Sequence, residues 1–344
     1  MGAYALPLGS LPTCCAVGAD GSWIASAAGK GVFICGAAAS PLVAPAVAHQ
    51  ADIIYAISTA PAGVYAARRL TLCASRAGPV SLVDHDAAAV IATLSARVSG
   101  EFSPLFSCTW SLSHAGRAWC GGDGVIHEFD VARGCAVSSI RGGAAHAPCR
   151  GRIAAIASSP DASGMLASGS LDGPSATVFD ERSGRCLCTF EDLLDDSNAA
   201  HKGGVTCIRF SPCGRFLYAG FRRHGAIVEW DLRGTQRVLR RYARDDSSGQ
   251  RLGFDVDARG GTLATPSRDG SVLIYDIASG ELSLDMREWP APPTDVAFLE
   301  RGPLCVLSGP RHGTIPEPHE AHAAASLSVW APSGIAATHI ELSR

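Results

Sequence analysis

The sequence predicts an all-β chain that folds as a seven-bladed β-propeller, a ring of seven similar four-stranded sheets. Short runs with apolar residues at alternate positions, each bounded by Gly or Pro turns, recur through all 344 residues, as antiparallel strands joined by tight turns do. The runs fall into units of about 45 to 54 residues, a spacing typical of propeller blades. One blade cannot bury both faces of its sheet, so neighbours must stack in a ring. A β-sandwich or two small barrels is the alternative.

The clearest unit lies in the middle of the chain. Its alternating runs are Val205–Phe210, Phe216–Gly220 and Ala226–Asp231, and they are separated by the turns Ser211–Gly214 and Phe221–Gly225. The third run ends in an aromatic residue followed by Asp. Runs that align with this third run recur in every unit, and they are Gly31–Cys35, Val80–Asp84, Val125–Asp130, Ala176–Asp180, Ile227–Asp231, Val272–Asp276 and Leu327–Trp330. Residues 1–344 are therefore predicted to form one domain, with blades at about 11–50, 51–98, 103–141, 150–196, 201–245, 249–288 and 293–344.

Several segments do not fit the repeat. Either Tyr4–Leu8 or Ile335–Ile340 is expected to supply the outer strand of the last blade, because the ring needs only one closing strand. Three insertions are predicted to be loops. Ala37–Ala48 is rich in Ala and Pro, Glu191–Asp196 is acidic, and Pro310–Glu320 carries prolines that forbid a regular strand.

The composition indicates a protein of a reducing compartment, the cytosol or the nucleus. Most of the 13 Cys lie inside apolar runs, where free thiols behave as small buried hydrophobic groups. We expect no secretory signal, because the first residues lack a basic segment and a long apolar core. No apolar run approaches the roughly 18 residues of a membrane span, so no membrane partner is expected.

The middle unit resembles a WD-repeat blade, and the order of the units resembles one WD-repeat family in particular, that of the telomerase Cajal body protein. The matching segments are Ala51–Tyr55, Ser75–Val80, His201–Thr206, Glu229–Arg233, Gln250–Asp257, and Leu307–Gly309 followed by Pro316–Pro318. The segment Gln250–Asp257 resembles the pattern Q-R-I-Y-F-D-L-D of the family, and Pro316–Pro318 resembles its P-E-P loop. Neither is a general WD-repeat feature, so these two weigh most.

The resemblance implies a function. Members of this family bind small RNAs that carry a Cajal-body box, and they help to assemble the telomerase ribonucleoprotein. A nuclear, Cajal-body location is therefore expected, with the cytoplasm as the alternative. The expected partners are telomerase RNA or a Cajal-body RNA, together with ribonucleoprotein proteins. The resemblance to WD blades also implies that His201 hydrogen-bonds across its blade, where His224 takes the place of the usual Asp.

Charge marks the candidate RNA-binding residues. Between residues 201 and 251 there are eleven Lys and Arg against four Asp and Glu, in a chain of formal net charge −3. Such a basic patch attracts phosphate, and aromatic side chains beside it can stack on bases. The candidates are Lys202, Phe221, Arg222, Arg223, His224, Arg240, Arg241, Tyr242, Arg244 and Arg251. We expect the Arg222–His224 turn and the loop that opens the blade to lie at opposite ends.

Each candidate has a structural alternative. The arginines can form a solvated outer face, and Phe221 and Tyr242 can pack between blades instead of stacking on RNA. A protein-only scaffold that holds peptides on the ring is the second functional hypothesis.

Signals for catalysis are weak throughout. Gly29–Gly31 lacks the third Gly of a dinucleotide-binding loop, and His319–His322 has one residue too few for a helical zinc pair. Cys186 and Cys188 have no second Cys pair at zinc-finger spacing. The sequence therefore predicts no enzyme, no metal, no cofactor and no small-molecule substrate.

Overall fold

A computed structural model of the chain describes residues 2–5, 12–36, 44–47, 53–63, 68–75, 78–98, 100–141, 149–161, 163–191, 203–234, 237–246, 251–287, 289, 291–299, 303–309 and 326–330. These residues form thirty β-strands, and seven four-stranded antiparallel sheets contain all but two of them. The seven-bladed β-propeller expected from the sequence is confirmed.

The strands of each blade follow one another along the chain. Blade 1 comprises Pro12–Val17, Trp23–Ala28, Gly31–Gly36 and Ala44–Val47, blade 2 comprises Ile54–Thr59, Leu70–Ser75, Val80–Asp84 and Ala89–Leu94, and blade 3 comprises Ser107–Trp110, Arg117–Gly121, Val125–Asp130 and Cys135–Arg141.

Blade 4 comprises Ile153–Ser158, Met165–Ser170, Ser175–Asp180 and Cys186–Glu191, blade 5 comprises Val205–Phe210, Phe216–Phe221, Ala226–Asp231 and Val238–Ala243, and blade 6 comprises Asp255–Val256, Thr262–Pro266, Val272–Asp276 and Leu282–Met286. Blade 7 comprises Pro293–Phe298, Leu304–Ser308, Ser326–Trp330 and Gly2–Ala5.

The blades form a closed ring around a central channel. The first strands of blades 1 to 5 contact each other in turn, as do those of blades 6, 7 and 1, so the first strands line the axis. Buried apolar side chains form seven clusters, and each cluster joins two neighbouring blades. One of them packs Ile24 of blade 1 with Leu307 of blade 7 and so closes the circle. Burying such a side chain stabilises the fold by about 1.5–3 kcal/mol.

The last blade is completed from the other end of the chain. Gly2–Ala5 pairs antiparallel with Ser326–Trp330, with Gly2 opposite Val329 and Ala5 opposite Ser326. Of the two closing segments expected from the sequence, the amino-terminal one therefore supplies the outer strand, two residues earlier than expected. Residues 335–340 lie outside the described residues.

The Asp that ends the third strand has a local structural role. Asp130 accepts a hydrogen bond from the backbone N–H of Arg133 at 3.1 Å, and Asp180 accepts one from Ser183 at 2.7 Å. Asp carboxylates commonly hold turns by accepting from a backbone N–H two or three residues on. The aromatic–Asp pair therefore marks the point where the third strand turns into the fourth in blades 3 to 6.

One predicted loop is wrong in part. Ala44–Val47, inside the expected loop Ala37–Ala48, forms the outer strand of blade 1 and pairs with Val32 and Ile34. An outer strand has a neighbour on one side only, so it tolerates the Pro that made this segment resemble a loop. Residues 192–200 and 310–325, which hold most of the other two predicted insertions, lie outside the described residues. The described residues contain no helix long and apolar enough to cross a membrane.

Candidate nucleic-acid interface

The ring has two ends, and the turns of each blade alternate between them. One end carries the turn between the second and third strands of each blade and the connection to the next blade. We call it the upper end. The lower end carries the other two turns. The backbone N–H of Arg222 donates to the carbonyl of Gly204 at 2.9 Å, so the basic turn and the loop that opens blade 5 lie at the same end. The expectation that they lie at opposite ends is wrong. The strands of a blade alternate in direction, so the loop before the first strand and the turn after the second strand lie at the same end of the ring.

Arg222 and Arg223 occupy the upper turn of blade 5. Arg223 is exposed and Arg222 is partly exposed. Arg223 has a φ of 52°, in the left-handed region that L-residues adopt at a cost of about 1–2 kcal/mol. Such conformations persist where the surrounding structure holds them, and they concentrate at functional sites.

His224 holds this turn from inside. Its ring is buried, and the backbone N–H of Ala226 donates to its Nδ1 at 3.2 Å. The ring also packs against Phe221, with a centroid distance of 5.3 Å. His224 therefore supports the turn that presents Arg222 and Arg223. Lys202 and His201, which precede the blade, lie outside the described residues.

Blade 4 adds a third arginine at the upper end. The guanidinium of Arg152 forms an ion pair with the carboxylate of Asp172 at 2.8 Å. The hydrogen bond from Arg152 lowers the pKa of Asp172, and the charge of Arg222 lowers it further. Arg152 is therefore the main charge partner of Asp172, and Arg222 is a second, weaker one.

Arg244 is not part of this surface. Its side chain is fully buried, and its guanidinium donates to the carbonyl of Gly253 at 3.1 Å and to Thr265 Oγ1 at 3.0 Å. Asp246, equally buried, lies 3.2 Å away and completes the ion pair. Burial lowers the pKa of Arg244. This predicted RNA contact is therefore an internal brace between blades 5 and 6.

Arg251 lies in the central channel and joins several blades. Its guanidinium donates to the carbonyl of Thr13 in blade 1 at 2.9 Å and to that of Thr206 in blade 5 at 3.3 Å. The carboxylate of Asp295 in blade 7 lies 3.4 Å away. Burial alone would lower the pKa of Arg251, but Asp295 and nearby thiols outweigh burial and raise it. A second predicted RNA contact thus has a structural role at the axis.

The channel holds a further ion pair. Arg209 lies 3.6 Å from Asp255, which also accepts a hydrogen bond from the backbone N–H of Phe298 at 2.9 Å. Burial raises the pKa of Asp255. Arg209 and Arg251 line a small cavity of about 40 Å³ at the axis, together with Cys14, Cys108, Cys207 and inner-strand backbone. The segment Gln250–Asp257, which carried much of the family resemblance, therefore supplies channel ion pairs.

The two predicted stacking residues are buried. Phe221 lies in the apolar cluster between blades 4 and 5, with its ring 6.3 Å from that of Trp230. The hydroxyl of Tyr242 donates to the carboxylate of Glu229 at 2.6 Å, and its ring packs edge-on against Tyr275 at 5.4 Å. Neither ring presents a face to solvent. Both follow the packing alternative rather than base stacking.

The remaining arginines of the unit lie elsewhere. Arg240 and Arg241 are on the outer strand, where Arg240 donates to the carbonyl of Ala278 at 2.8 Å and Arg241 is exposed. Arg215 and Arg237 are exposed at the lower end. The concentration of charge along the sequence is therefore divided among the channel, the rim and both ends of the ring.

The upper end of blades 4 and 5 brings three arginines together. It combines the exposed Arg223, the partly exposed Arg222 and the paired Arg152, and guanidinium groups attract and pair with phosphates. Sequence reasoning missed Arg152, because it belongs to a neighbouring blade. In the described part of the chain, no group of three or more His, Cys, Asp and Glu side chains is arranged to hold a metal ion.

Comparisons with known proteins agree with this architecture. Residues 184–231 match the family described as "WD domain, G-beta repeat". Part of the chain is homologous to Telomerase Cajal body protein 1 of Mus musculus, with 34% identity over 116 residues, which is 34% of this chain and 21% of that protein. The protein of the same name in Homo sapiens is 34% identical over 76 residues, 22% of this chain and 14% of that protein.

A relative of another kind is also similar. The "Guanine nucleotide-binding protein subunit beta" of Arabidopsis thaliana is 32% identical over 108 residues, 31% of this chain and 27% of that protein. The aligned segments thus span between about a seventh and about a quarter of the length of these three relatives.

Proposed function

We propose that this chain acts as one WD-repeat propeller domain that binds a small RNA of the Cajal-body-box type and helps to assemble or localise a ribonucleoprotein such as telomerase. The scaffold is non-catalytic. Its partners are telomerase RNA or a Cajal-body RNA together with ribonucleoprotein proteins, and its location is the Cajal body. The observation that carries the proposal is the homology to proteins named Telomerase Cajal body protein 1.

The charge at the upper end supports binding to RNA. Arg223 is exposed and Arg222 is partly exposed in the upper turn of blade 5, and the neighbouring Asp172 is already paired with Arg152. Arginines that contact phosphates release counterions, so we expect the affinity to fall as salt is added. Arginine also stacks on unpaired bases.

Filter binding with purified protein tests the proposal. One RNA carries a Cajal-body box in a loop, and a matched RNA has the box mutated but keeps the same stem. We expect tighter binding to the intact box at physiological salt. Equal affinity for the two RNAs would remove the claim of box recognition, and the absence of any RNA binding would remove the function.

A protein-only scaffold is the second candidate. Its support is the similarity to a protein named as a subunit of a guanine nucleotide-binding protein, which covers a share of this chain similar to that of the mouse relative. RNase treatment before capture of the tagged protein separates the two functions. Partners that remain after RNase favour the protein-only scaffold, whereas partners that are lost favour an RNA-linked assembly.

A further inference from the structure

A small hairpin stands outside the blade sheets. Its strands Ala96–Val98 and Glu101–Ser103 pair only with each other, in the connection between blades 2 and 3. Gly100 in its tight turn has a φ of 88°, a conformation that suits Gly in two-residue hairpin turns. The hairpin lies at the upper end of the ring, because connections between blades run there.

The base of the hairpin is packed on blade 3. Ala96 and Ser103 lie opposite each other and are both buried. A Cβ added at Gly122, in the upper turn of blade 3, would lie 3.3 Å from the hydroxyl of Ser103. The hairpin therefore has a fixed root and projects from a rigid support.

The next pair along the hairpin is exposed. Arg97 lies opposite Phe102, and residues opposite each other in an antiparallel pair project from the same face. Phe102 is 45% exposed and is the one aromatic residue among the exposed large apolar side chains of the described residues. Arg97 is also exposed, and its guanidinium donates to the carbonyl of Gly100 in the turn of the hairpin at 3.2 Å.

An exposed aromatic ring opposite an arginine matches the chemistry of a nucleotide. A base can stack on the aromatic ring while its phosphate pairs with the guanidinium, and such stacking strengthens binding by about five- to 150-fold per base. A protein hot spot is instead surrounded by a larger apolar surface that excludes water. On this hairpin Val98 and Glu101 project from the other face, so Phe102 and Arg97 form an isolated pair.

We propose that this hairpin is a stacking platform for an unpaired nucleotide, with the base on Phe102 and a phosphate on Arg97. The identity of the RNA rests on the proposed function. The platform shares the upper end of the ring with Arg222 and Arg223, so one RNA can contact both surfaces.

Substitutions on the hairpin test the platform with little risk to the fold, because Phe102 and Arg97 are exposed. Phe102→Ala should weaken RNA binding by at least about fivefold, the low end of the stacking range, whereas Phe102→Trp should retain it. Arg97→Gln should weaken binding and reduce the salt dependence by about one phosphate contact. Glu101→Gln is the matched control on the opposite face and should not weaken binding. Melting temperatures of all four variants should stay within a few degrees of the parent.

A spectroscopic readout reports stacking directly. The RNA carries 2-aminopurine at each unpaired position in turn, and stacking on Phe102 should quench its fluorescence at one position. Phe102→Ala should restore the emission there. Unchanged affinity and unchanged fluorescence in Phe102→Ala would overturn the platform and leave the proposed function intact.

The remaining outcomes are also decisive. If Phe102→Ala weakens intact-box and mutated-box RNAs alike, and wild type does not distinguish them, the platform stands and box recognition fails. If Phe102→Ala keeps its RNA affinity but loses a protein partner that resists RNase, the hairpin is a protein contact and the proposal is overturned. Absence of binding to any RNA overturns both proposals.

Discussion

The carboxylate of Asp295 in blade 7 lies 3.4 Å from the guanidinium of Arg251, which precedes the first strand of blade 6, and it also accepts a hydrogen bond from the backbone N–H of Cys15 at 3.0 Å. One side chain therefore holds blades 6, 7 and 1 together at the axis. Arg251 extends the same contact to blade 5 through Thr206. Four of the seven blades depend on this arrangement.

Removing the positive charge of Arg251 should destabilise the whole ring. Arg251→Gln leaves the buried carboxylate of Asp295 without its charge partner, and breaking a buried ion pair costs about 3–5 kcal/mol. Arg251 is 24% exposed, so we expect a loss near the lower figure. Urea denaturation followed by tryptophan fluorescence measures it. Arg259→Ala, an exposed arginine in the same blade, is the control and should change stability by less than about 0.5 kcal/mol. Equal stability of the two variants would contradict the assigned role.

The close packing of Gly253 against Asp295 leads to a second prediction. A Cβ added at Gly253 would lie 1.5 Å from Asp295 Oδ1, closer than atoms can approach. Gly253→Ala should therefore displace the carboxylate from Arg251 and destabilise the protein by about 3 kcal/mol or more. Gly261→Ala is the matched control in the same blade, because nothing lies within 4 Å of its added Cβ. Soluble yield and melting temperature distinguish the two, and similar values would refute the predicted clash.

A pH effect follows from His85 in blade 2. Its ring is buried, and its Nε2 lies 2.8 Å from the hydroxyl of Thr71. Burial, aided by the charge of Arg69, lowers its pKa from 6.5 to about 4. The unfolded chain therefore binds a proton as the pH falls below 6.5, while the folded protein does not. The associated stability is complete above that pH and is lost progressively down to about pH 4, by about 3 kcal/mol in total.

Comparison with His85→Gln isolates this effect. The variant cannot titrate at this position, so its stability should fall less than that of wild type between pH 7 and pH 4. Urea midpoints at four or five pH values give the difference. Parallel curves for the two proteins would show that His85 titrates alike in the folded and the unfolded chain and would refute the prediction.

The two ends of the ring can be distinguished with matched arginine variants. Arg222→Glu combined with Arg223→Glu reverses two charges at the upper end, and Arg215→Glu combined with Arg237→Glu does the same at the lower end. If RNA binds the upper end, the first pair should weaken binding by at least tenfold at physiological salt and flatten its salt dependence, and the second should have a small effect. The RNA affinities of the two double variants, measured at three salt concentrations, distinguish the two ends. The reverse order of effects would move the interface to the lower end.

The fold could be predicted because its signals are local and repeated. Each alternating run, tight turn and aromatic–Asp pair predicts a strand or a turn by itself, and seven copies leave little choice of architecture. The outer strand Ala44–Val47 was not predicted, because its Ala and Pro content is typical of a loop. Only its pairing with Val32 and Ile34 identifies it as a strand.

The candidate site was predictable only in part. Turns separated by one strand lie at opposite ends, so Arg215 and Arg222 are close in sequence and far apart in the ring. Arg244 and Arg251 pair with Asp246 and Asp295, and Asp295 belongs to another blade, which no local pattern reveals. Charge counted along a segment therefore overestimates the charge that any one surface presents.

Pairing of Gly2–Ala5 with Ser326–Trp330 sets the order of events during synthesis. Gly2–Ala5 is synthesised long before Ser326–Trp330, so blade 7 cannot be completed until the later strand has left the ribosome. Until then the exposed edges of the first and later sheets are open to pairing with other chains. We therefore expect the nascent protein to depend on chaperones until Ser326–Trp330 emerges, and to be prone to aggregation when translation stalls before that point.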